Sequence, residues 1–477
     1  MGIHEALTQA GFETFIVGGA VRDRLMGNAP KDIDYATAAL PEEIENVVNT
    51  MKGYRYVNSP AGDRAKRALT SLVVTPTGET IEITTFRGEL YDGSRTEIMA
   101  TPAKTFKEDA MRRDFTINAM GESIDGEIID YFGGMEDIDN QIIRAVGNPN
   151  ERFIEDPLRM IRGIRFAVKC GFDIEPNTYK AIIANRNLVK TLSSRRLRDE
   201  IGQCLYYPNG YRLLMETGIL PILMPELNGI KKYQHNLIYH PEGNLYNHYI
   251  ECFNTWTKLE NRTELGGWGL LFHDIAKPVT ADWNGEVHTF YKHDTVGEKL
   301  ILEKYNNEKG PFEFSKNELR TLAWTTKMHL GKFWQMKRVK KVADMGNNSG
   351  YPLLLEVIFG DSMGLCEEKR INRQKEIMEI TETYNDKMNK LGGRPKGFAV
   401  QLFDKLNIPA NSPLRGKALA KVDELVASGK VENYEQALEI LTKEAEGKSH
   451  IPIILIGGVL TLGAYLLSLN LNSESDN

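Results

Sequence analysis

Two groups of residues in this 477-residue chain have the types and spacing for phosphate chemistry. Near the start, Gly18-Gly19-Ala20-Val21-Arg22-Asp23 is followed after a short gap by Asp32-Ile33-Asp34. Glycines at a strand-to-helix turn expose backbone N–H groups and let a phosphate approach, and Arg22 on the first helical turn adds a charge-assisted fork, so a triphosphate could sit there. In an extended segment Asp32 and Asp34 point to the same face. Two such carboxylates can converge on Mg²⁺ and stabilise the attacking and leaving oxygens of a phosphoryl transfer. Glu82, within Ile81-Glu82-Ile83-Thr84-Thr85-Phe86-Arg87, is the candidate third acid from a neighbouring strand. The chain has no GxxxxGK[ST] and no GxGxxG, so phosphate binding by those routes is not supported.

The second group is His248, His273-Asp274, His293, His329 and Asp361. Imidazole and carboxylate ligands from separate helices can converge on one or two divalent metals, leaving a bound water acidified for attack on a phosphoester.

These residues need elements to position them. Glu13 to Val17 reads as an apolar strand broken at Gly18-Gly19, and Ala20 to Met26 as the opening of a helix. Leu69 to Val74 and Thr80 to Phe86 alternate as strands around the turn Pro76-Thr77-Gly78. From about Glu151 onward, periods such as Pro157 to Val168, Thr178 to Asn185 and Arg196 to Cys204 predict an almost wholly helical body. The expected class is therefore α+β, a mixed sheet followed by helices. Leu391-Gly392-Gly393-Arg394-Pro395 is the clearest linker, ahead of a short helical module ending near Glu446.

Composition sets outer bounds. Charged residues at 26% and hydrophobic residues at 41% exclude a largely disordered or fibrous chain. The net charge of −6 means that a nucleic-acid partner must be held by local patches, and Arg159 to Arg198, with only Asp173 and Glu175 as acids, is such a basic stripe. Four scattered cysteines and an N-terminus without a basic flank and apolar core predict a reducing, cytoplasmic body. Ile451 to Leu469 has no charged residue and approaches the roughly 20 apolar residues of a membrane-crossing helix, with Lys448 before it and Glu474 and Asp476 after. A tail anchor is one reading. Pro452, Gly457, Gly458 and Gly463 interrupt the run, and a terminal helix buried in protein has the same composition.

The phosphate-turn motif with Asp32-Ile33-Asp34, then Arg112-Arg113-Asp114-Phe115-Thr116-Ile117-Asn118-Ala119-Met120, then Glu155-Asp156-Pro157-Leu158-Arg159-Met160-Ile161-Arg162-Gly163-Ile164-Arg165-Phe166, resembles the bacterial-type CCA-adding tRNA nucleotidyltransferases and their poly(A) polymerase relatives. The likeness spans about the first 230 residues. It implies a polymerase-β-like head in which Gly19 and Arg22 hold the nucleotide triphosphate and Asp32 and Asp34 bind Mg²⁺. It implies that Arg113, Asp114 and Asn118 sense the ribose 2′-hydroxyl, while Arg112 is left solvated. Asp156 and Arg159 would pair with the base edge of CTP or ATP, and Arg162 and Arg165 would contact triphosphate or stack on the base. Tyr246-Asn247-His248, Leu271-Phe272-His273-Asp274-Ile275-Ala276-Lys277 and Phe359-Gly360-Asp361 resemble the HD phosphohydrolase domain, which accompanies one branch of these enzymes. That likeness implies His248, His273, Asp274 and Asp361 as core ligands of a divalent transition metal, with His293 and His329 serving a second metal or a substrate phosphate. His240 is not assigned as a ligand.

The expected plan is a nucleotidyltransferase head over 1–145, a helical neck with template and RNA-binding helices over 146–230, an HD domain over 231–390, a helical module over 391–448 and the apolar segment 449–477. The function it implies is addition of C, C and A from CTP and ATP to the tRNA 3′ end, with phosphatase or 2′,3′-cyclic phosphodiesterase activity. The alternatives are a poly(A) polymerase, an enzyme adding only C or only A, and an HD phosphohydrolase or membrane-associated RNA-binding protein with a vestigial transferase head.

Overall fold

The computed structural model describes residues 2–57, 69–88, 101–330, 350–362, 367–391 and 397–447, apart from Lys31, Tyr239, Asn307 and positions 410, 411, 413, 428–430 and 432. The expected anchor at 451–469 lies outside the described residues. Among the described residues no helix is long and apolar enough to cross a membrane. The chain divides into two compact units, Met1–Pro225 and Glu226–Asn477.

The first unit is built on strands β1 (Thr14–Val17), β2 (Asp34–Thr37), β3 (Arg55–Val57), β4 (Thr70–Val74), β5 (Thr80–Thr85), β6 (Met120–Glu122) and β7 (Ile128–Asp130). They form one mixed sheet in the order β3-β4-β5-β2-β1-β6-β7, with β2 and β5 parallel and the other pairs antiparallel. Alternation along the strands sends Phe15, Val17 and Ala36 into one core with Phe86 and Phe106. Val73 and Ile83 enter a second core, against Ile3, Leu7, Ile44 and Val48 of flanking helices. A sheet buried on both faces leaves its chemistry to the strand ends.

Past the sheet, Leu158–Cys170, Pro176–Asn185 and Ser194–Leu205 are helices. Local signals start and stop them: Ser193 accepts from the Arg196 N–H, and Gly171 at φ 72° ends Leu158–Cys170. One difference from the helical expectation is a short parallel pair, Ile142–Ile143 with Asp173–Ile174. Two residues per strand are too few for alternation to register in sequence.

In the second unit, Leu245–Trp256, Glu264–His273, His293–Lys304, Lys316–Met328 and Tyr351–Asp361 are helices. Asn244, Thr263 and Ser315 cap three of them through side-chain oxygens. Trp268 stacks on Phe272, and Phe312 and Phe314 pack tilted or edge to face against them on the Glu264–His273 helix. This body also departs from all-helical, because Ala281–Trp283 pairs antiparallel with His288–Phe290. Phe398–Lys405, Leu414–Ala427 and Tyr434–Gly447 share a separate core that includes Leu402, Val422 and Leu438.

Candidate functional site

β1 ends at Val17, and the turn into the helix Gly19–Leu25 passes through Gly18 at φ 69° and ψ −128°, a backbone state that glycine adopts without strain. Val17 lies opposite Asp34 in the antiparallel register of β1 and β2, so turn and carboxylate share one strand end. The parallel register sets Tyr35 beside Ile83, which brings Asp34 and Glu82, one residue earlier on each strand, alongside each other. Burial raises the pKa of both groups, and the like charge adds to it: Asp32 acts on Asp34, and Asp34 on Glu82. Asp32 lies just ahead of β2 and is exposed.

Asp34 and Glu82, but not Asp32, line a cleft of about 510 Å³ whose walls carry eight cationic side chains against five acidic ones. One wall is the Leu158–Cys170 helix, from which Arg159, Arg162, Arg165, Phe166 and Lys169 face the cleft. Spacings of three and four put them on one side. The Phe166 ring lies 5.2, 5.3 and 4.5 Å from the guanidinium carbons of Arg22, Arg162 and Arg165.

A polar chain crosses the cleft. Arg162 pairs with Asp114 at 2.6 Å, Asp114 accepts from Asn118 Nδ2 at 3.1 Å, and Asn118 Oδ1 accepts from Arg22 Nη1 at 2.8 Å. Arg22 then pairs with Asp23 at 2.6 Å. Burial pushes the Asp114 carboxyl up, but Arg162, Asn118 and the Phe115 N–H outweigh it and hold it below the usual range. Arg113 pairs with Asp109 at 2.9 Å and donates to the Asn118 carbonyl at 3.2 Å. Arg165 pairs with Glu200 at 2.8 Å.

Asp156 and Arg159 reach the same cleft but are held by other partners. Arg196 grips the Asp156 carboxylate at 2.9 Å, and Arg159 donates to Glu155 at 2.9 Å and to the Arg112 carbonyl at 2.8 Å. The expectation of a solvated Arg112 is corrected. Its Nη1 is buried without a hydrogen-bond partner, and burial, then the charge of Arg87, lowers its pKa to about 10.

The second unit gathers its own set. His248 Nε2 lies 3.2 Å from Asp274 Oδ2 and 3.2 Å from Asp361 Oδ1, and His273 Nε2 lies 3.2 Å from Asp274 Oδ2. The other Asp274 oxygen faces His293 Nε2 at 3.2 Å and His329 Nε2 at 3.6 Å. Each ring is oriented through its far nitrogen. His273, His293 and His329 turn Nδ1 to the carbonyls of Leu270, Phe290 and Thr326, at 2.6, 2.7 and 2.6 Å. His248 turns Nδ1 to Glu242 at 2.8 Å, an acceptor that His240 shares at 3.0 Å. Four Nε2 atoms therefore face the two Asp274 oxygens, the donor set of a divalent transition-metal centre. Asp274 Oδ1 and His293 Nε2 are buried without hydrogen-bond partners, as metal-binding atoms would be.

The poly A polymerase head domain matches residues 14–144, and the probable RNA and SrmB-binding site of polymerase A matches 171–230. The first half of the chain is thus similar to the CCA-adding enzymes and poly(A) polymerases. Among relatives, the CCA-adding enzyme of Bacillus licheniformis is 41% identical over 230 residues, 47% of this chain and 55% of that one. That of Lactobacillus gasseri is 36% identical over 242 residues, 50% of this chain and 57% of that one, so the chain spans just over half the length of these relatives. The CCA-adding enzyme of Enterococcus faecalis is 29% identical over 449 residues, 92% of this chain and 93% of that one. The fold is similar to that of the Bacillus stearothermophilus CCA-adding enzyme in complex with CTP, with TM-score 0.56 and 25% identity over 94% of this chain and 98% of that one.

Of the residues that the sequence offered for nucleotide transfer, Gly19, Arg22, Asp34, Glu82, Arg113, Asp114, Asn118, Asp156, Arg159, Arg162 and Arg165 line one cleft. Sequence reasoning missed Arg87, Asp109 and Phe166 there, Glu200 behind Arg165, and Glu242 and Lys277 in the second unit, where Lys277 Nζ lies 2.6 Å from Asp274. Lys277 carried a signal: three positions after Asp274, it is within reach along a turn.

Proposed function

We propose that this chain is a CCA-adding tRNA nucleotidyltransferase, transferring CMP, CMP and AMP from CTP and ATP to the tRNA 3′ end. The observation that carries this is the single cleft in which the Asp34 and Glu82 carboxylates, the Gly18-Gly19 turn and the arginine face of Leu158–Cys170 converge. The names of the relatives support the choice of tRNA over other RNAs. In this reading residues 1–145 are the transferase head, 146–230 the neck, 231–390 the HD domain and 391–448 an accessory helical module.

Asp32, Asp34 and Glu82 would hold Mg²⁺, and their donors fit it: all are carboxylate oxygens, and burial and then like charge raise the pKa of Asp34 and Glu82. Bound there, Mg²⁺ would acidify the RNA 3′-hydroxyl and neutralise charge building on the α-phosphate. The Gly18-Gly19 N–H groups and Arg22 cradle the triphosphate. Asp114 and Asn118 read the 2′-hydroxyl, with Arg113 bracing the Asn118 backbone. Asp156 and Arg159 present an acceptor beside a donor fork to the base edge. Cytosine and adenine satisfy that pair, and a wrong base leaves a group unpaired at about 1–3 kcal/mol. Asp156 must exchange its bond to Arg196 for one to the base. Free thiols at Cys170, Cys204 and Cys252 suit a reducing cytoplasmic setting.

The second unit is read as an HD phosphohydrolase, with His248, His273, Asp274 and Asp361 as core ligands and His293 and His329 completing a second position. Its chemistry would remove terminal phosphates or open 2′,3′-cyclic phosphates on a damaged tRNA end. The deciding experiment is extension of a tRNA lacking its last three nucleotides, with purified full-length protein, Mg²⁺ and single or paired nucleotides, read by sequencing. C, C, A and then arrest is expected. A long A tail supports a poly(A) polymerase instead, and C alone or A alone a partial enzyme.

A further inference from the structure

Seven arginines line the cleft of the first unit, and five of them have a carboxylate at ion-pair distance. Arg22 pairs with Asp23, Arg113 with Asp109, Arg159 with Glu155, Arg162 with Asp114 and Arg165 with Glu200, at 2.6 to 2.9 Å. Among the described residues the guanidiniums of Arg87 and Arg112 have no such partner. The acid beside them is already engaged. Asp109 gives Oδ2 to the Arg113 fork, at 2.9 and 3.1 Å, and Oδ1 to the Arg87 backbone N–H at 3.1 Å.

The two free guanidiniums are neighbours, because the charge of Arg87 follows burial among the causes that lower the Arg112 pKa. Adjacent cations without a counter-ion, one of them with a buried N–H that meets no acceptor, cost the fold stability until an anion completes them. Planar guanidinium forks match phosphate oxygens. We propose that Arg87 and Arg112 clamp the last phosphodiester of the acceptor RNA and so position its 3′-hydroxyl for attack. The inference rests on reading the cleft as a nucleotidyltransferase site.

The sheet order selects this phosphate over those of the incoming nucleotide. The Gly18 turn follows β1, Asp34 lies on β2 and Glu82 on β5, and these strands are adjacent in the order β5-β2-β1. Arg113 belongs to the turn side, its Nη1 3.5 Å from where a Cβ on Gly18 would sit. Against burial and like charge, Arg113 is the cation that draws the Asp34 pKa down, and Arg87 the one that draws down that of Glu82. The acid pair thus stands between the phosphate turn and the Arg87–Arg112 pair. In-line transfer puts the attacking and leaving oxygens on opposite sides of the α-phosphorus. With pyrophosphate leaving at Gly18-Gly19, the attacking strand arrives on the Glu82 side, and its last phosphodiester is the anion nearest its 3′-hydroxyl.

The test uses full-length protein, Mg²⁺, CTP and a tRNA lacking its last three nucleotides, either natural or with a neutral methylphosphonate as its last internucleotide linkage. Single-turnover CMP addition at subsaturating RNA is expected to be about 10–100-fold slower on the neutral linkage, the worth of one charge-assisted bond. Arg87→Gln and Arg112→Gln are expected to lose a similar factor on natural RNA and nothing further on the neutral linkage. Equilibrium CTP binding without RNA should change less than about twofold. The Arg112 carbonyl that holds Arg159 is kept in the variant. Equal rates on the two linkages overturn the clamp while nucleotide addition stands, as do additive losses in the variants. Weakened CTP binding in either variant overturns it in favour of a triphosphate contact. Absence of addition to natural RNA overturns the transferase reading and the clamp together. The comparison of linkages needs no variant, so a misfolded Arg112→Gln leaves the clamp open to refutation.

Discussion

Arg162 and Asp114, 48 residues apart in sequence, meet through two contacts, Nε to Oδ2 at 2.8 Å and Nη2 to Oδ2 at 2.6 Å. The pair joins the helix that presents the cleft arginines to the turn that carries Asn118. It is the middle of a chain from Glu200, 3.8 Å from Arg162, to Arg22. The cleft's shape therefore depends on a charge pair that can be titrated or deleted.

The Asp114 carboxyl is held below the usual value of 3.8, so it contributes stability above the unfolded carboxyl pKa and loses it as pH falls through the lower folded value. Chemical denaturation of wild type and Asp114→Asn is expected to differ by about 1–3 kcal/mol at neutral pH. The difference should shrink steadily below about pH 4. A gap that stays constant down to pH 2 would contradict the assignment.

Asp34 and Glu82 have raised pKa values through burial and like charge, so each carboxylate costs the metal-free fold stability at neutral pH. Glu82→Gln should raise the melting temperature in chelator and raise the Mg²⁺ concentration needed for half-maximal nucleotide addition. Asp34→Asn should lower addition by about 10³-fold, the size of several kcal/mol of charge stabilisation. Unchanged addition in Asp34→Asn would refute the metal role.

Phe166 packs three guanidiniums around one ring. Phe166→Ala is expected to cost about 3–5 kcal/mol of stability. Phe166→Leu keeps most of the burial and loses the ring face, and should raise KM for CTP and ATP with a smaller change in melting temperature. Steady-state kinetics beside calorimetry separates the two effects.

Gly134 is needed for close approach rather than for its φ. A Cβ there would sit 2.3 Å from the Thr116 carbonyl oxygen and 2.9 Å from Met120 Sδ. Gly134→Ala must move the turn Thr116–Asn118, costing about 1–3 kcal/mol. Because Asn118 rides on that turn, discrimination between NTP and dNTP should weaken as well, measured by paired incorporation assays.

Sequence alone determined what depends on neighbours along the chain. The strand, glycine turn and helix at 14–25 and the arginine face of Leu158–Cys170 follow from turn chemistry and from spacings of three and four. Residue types also named the chemistry, carboxylates with arginines for triphosphates and histidines with aspartates for metals. Tertiary structure decided which distant residues meet. Glu82 reaches Asp34 only because β5 pairs parallel with β2, a choice made by the two cores and not by either strand. The arginines that read as a free basic stripe are largely tied to Asp114, Asp156 and Glu200. Arg112, which read as solvated, has its Nη1 buried, and Cys252, which read as a scattered thiol, sits against His248. The reason is physical: periodicity reports which face of an element is apolar, whereas a charge pair or a ligand edge of 3–4 Å is set by how separate elements pack, information spread over the whole core.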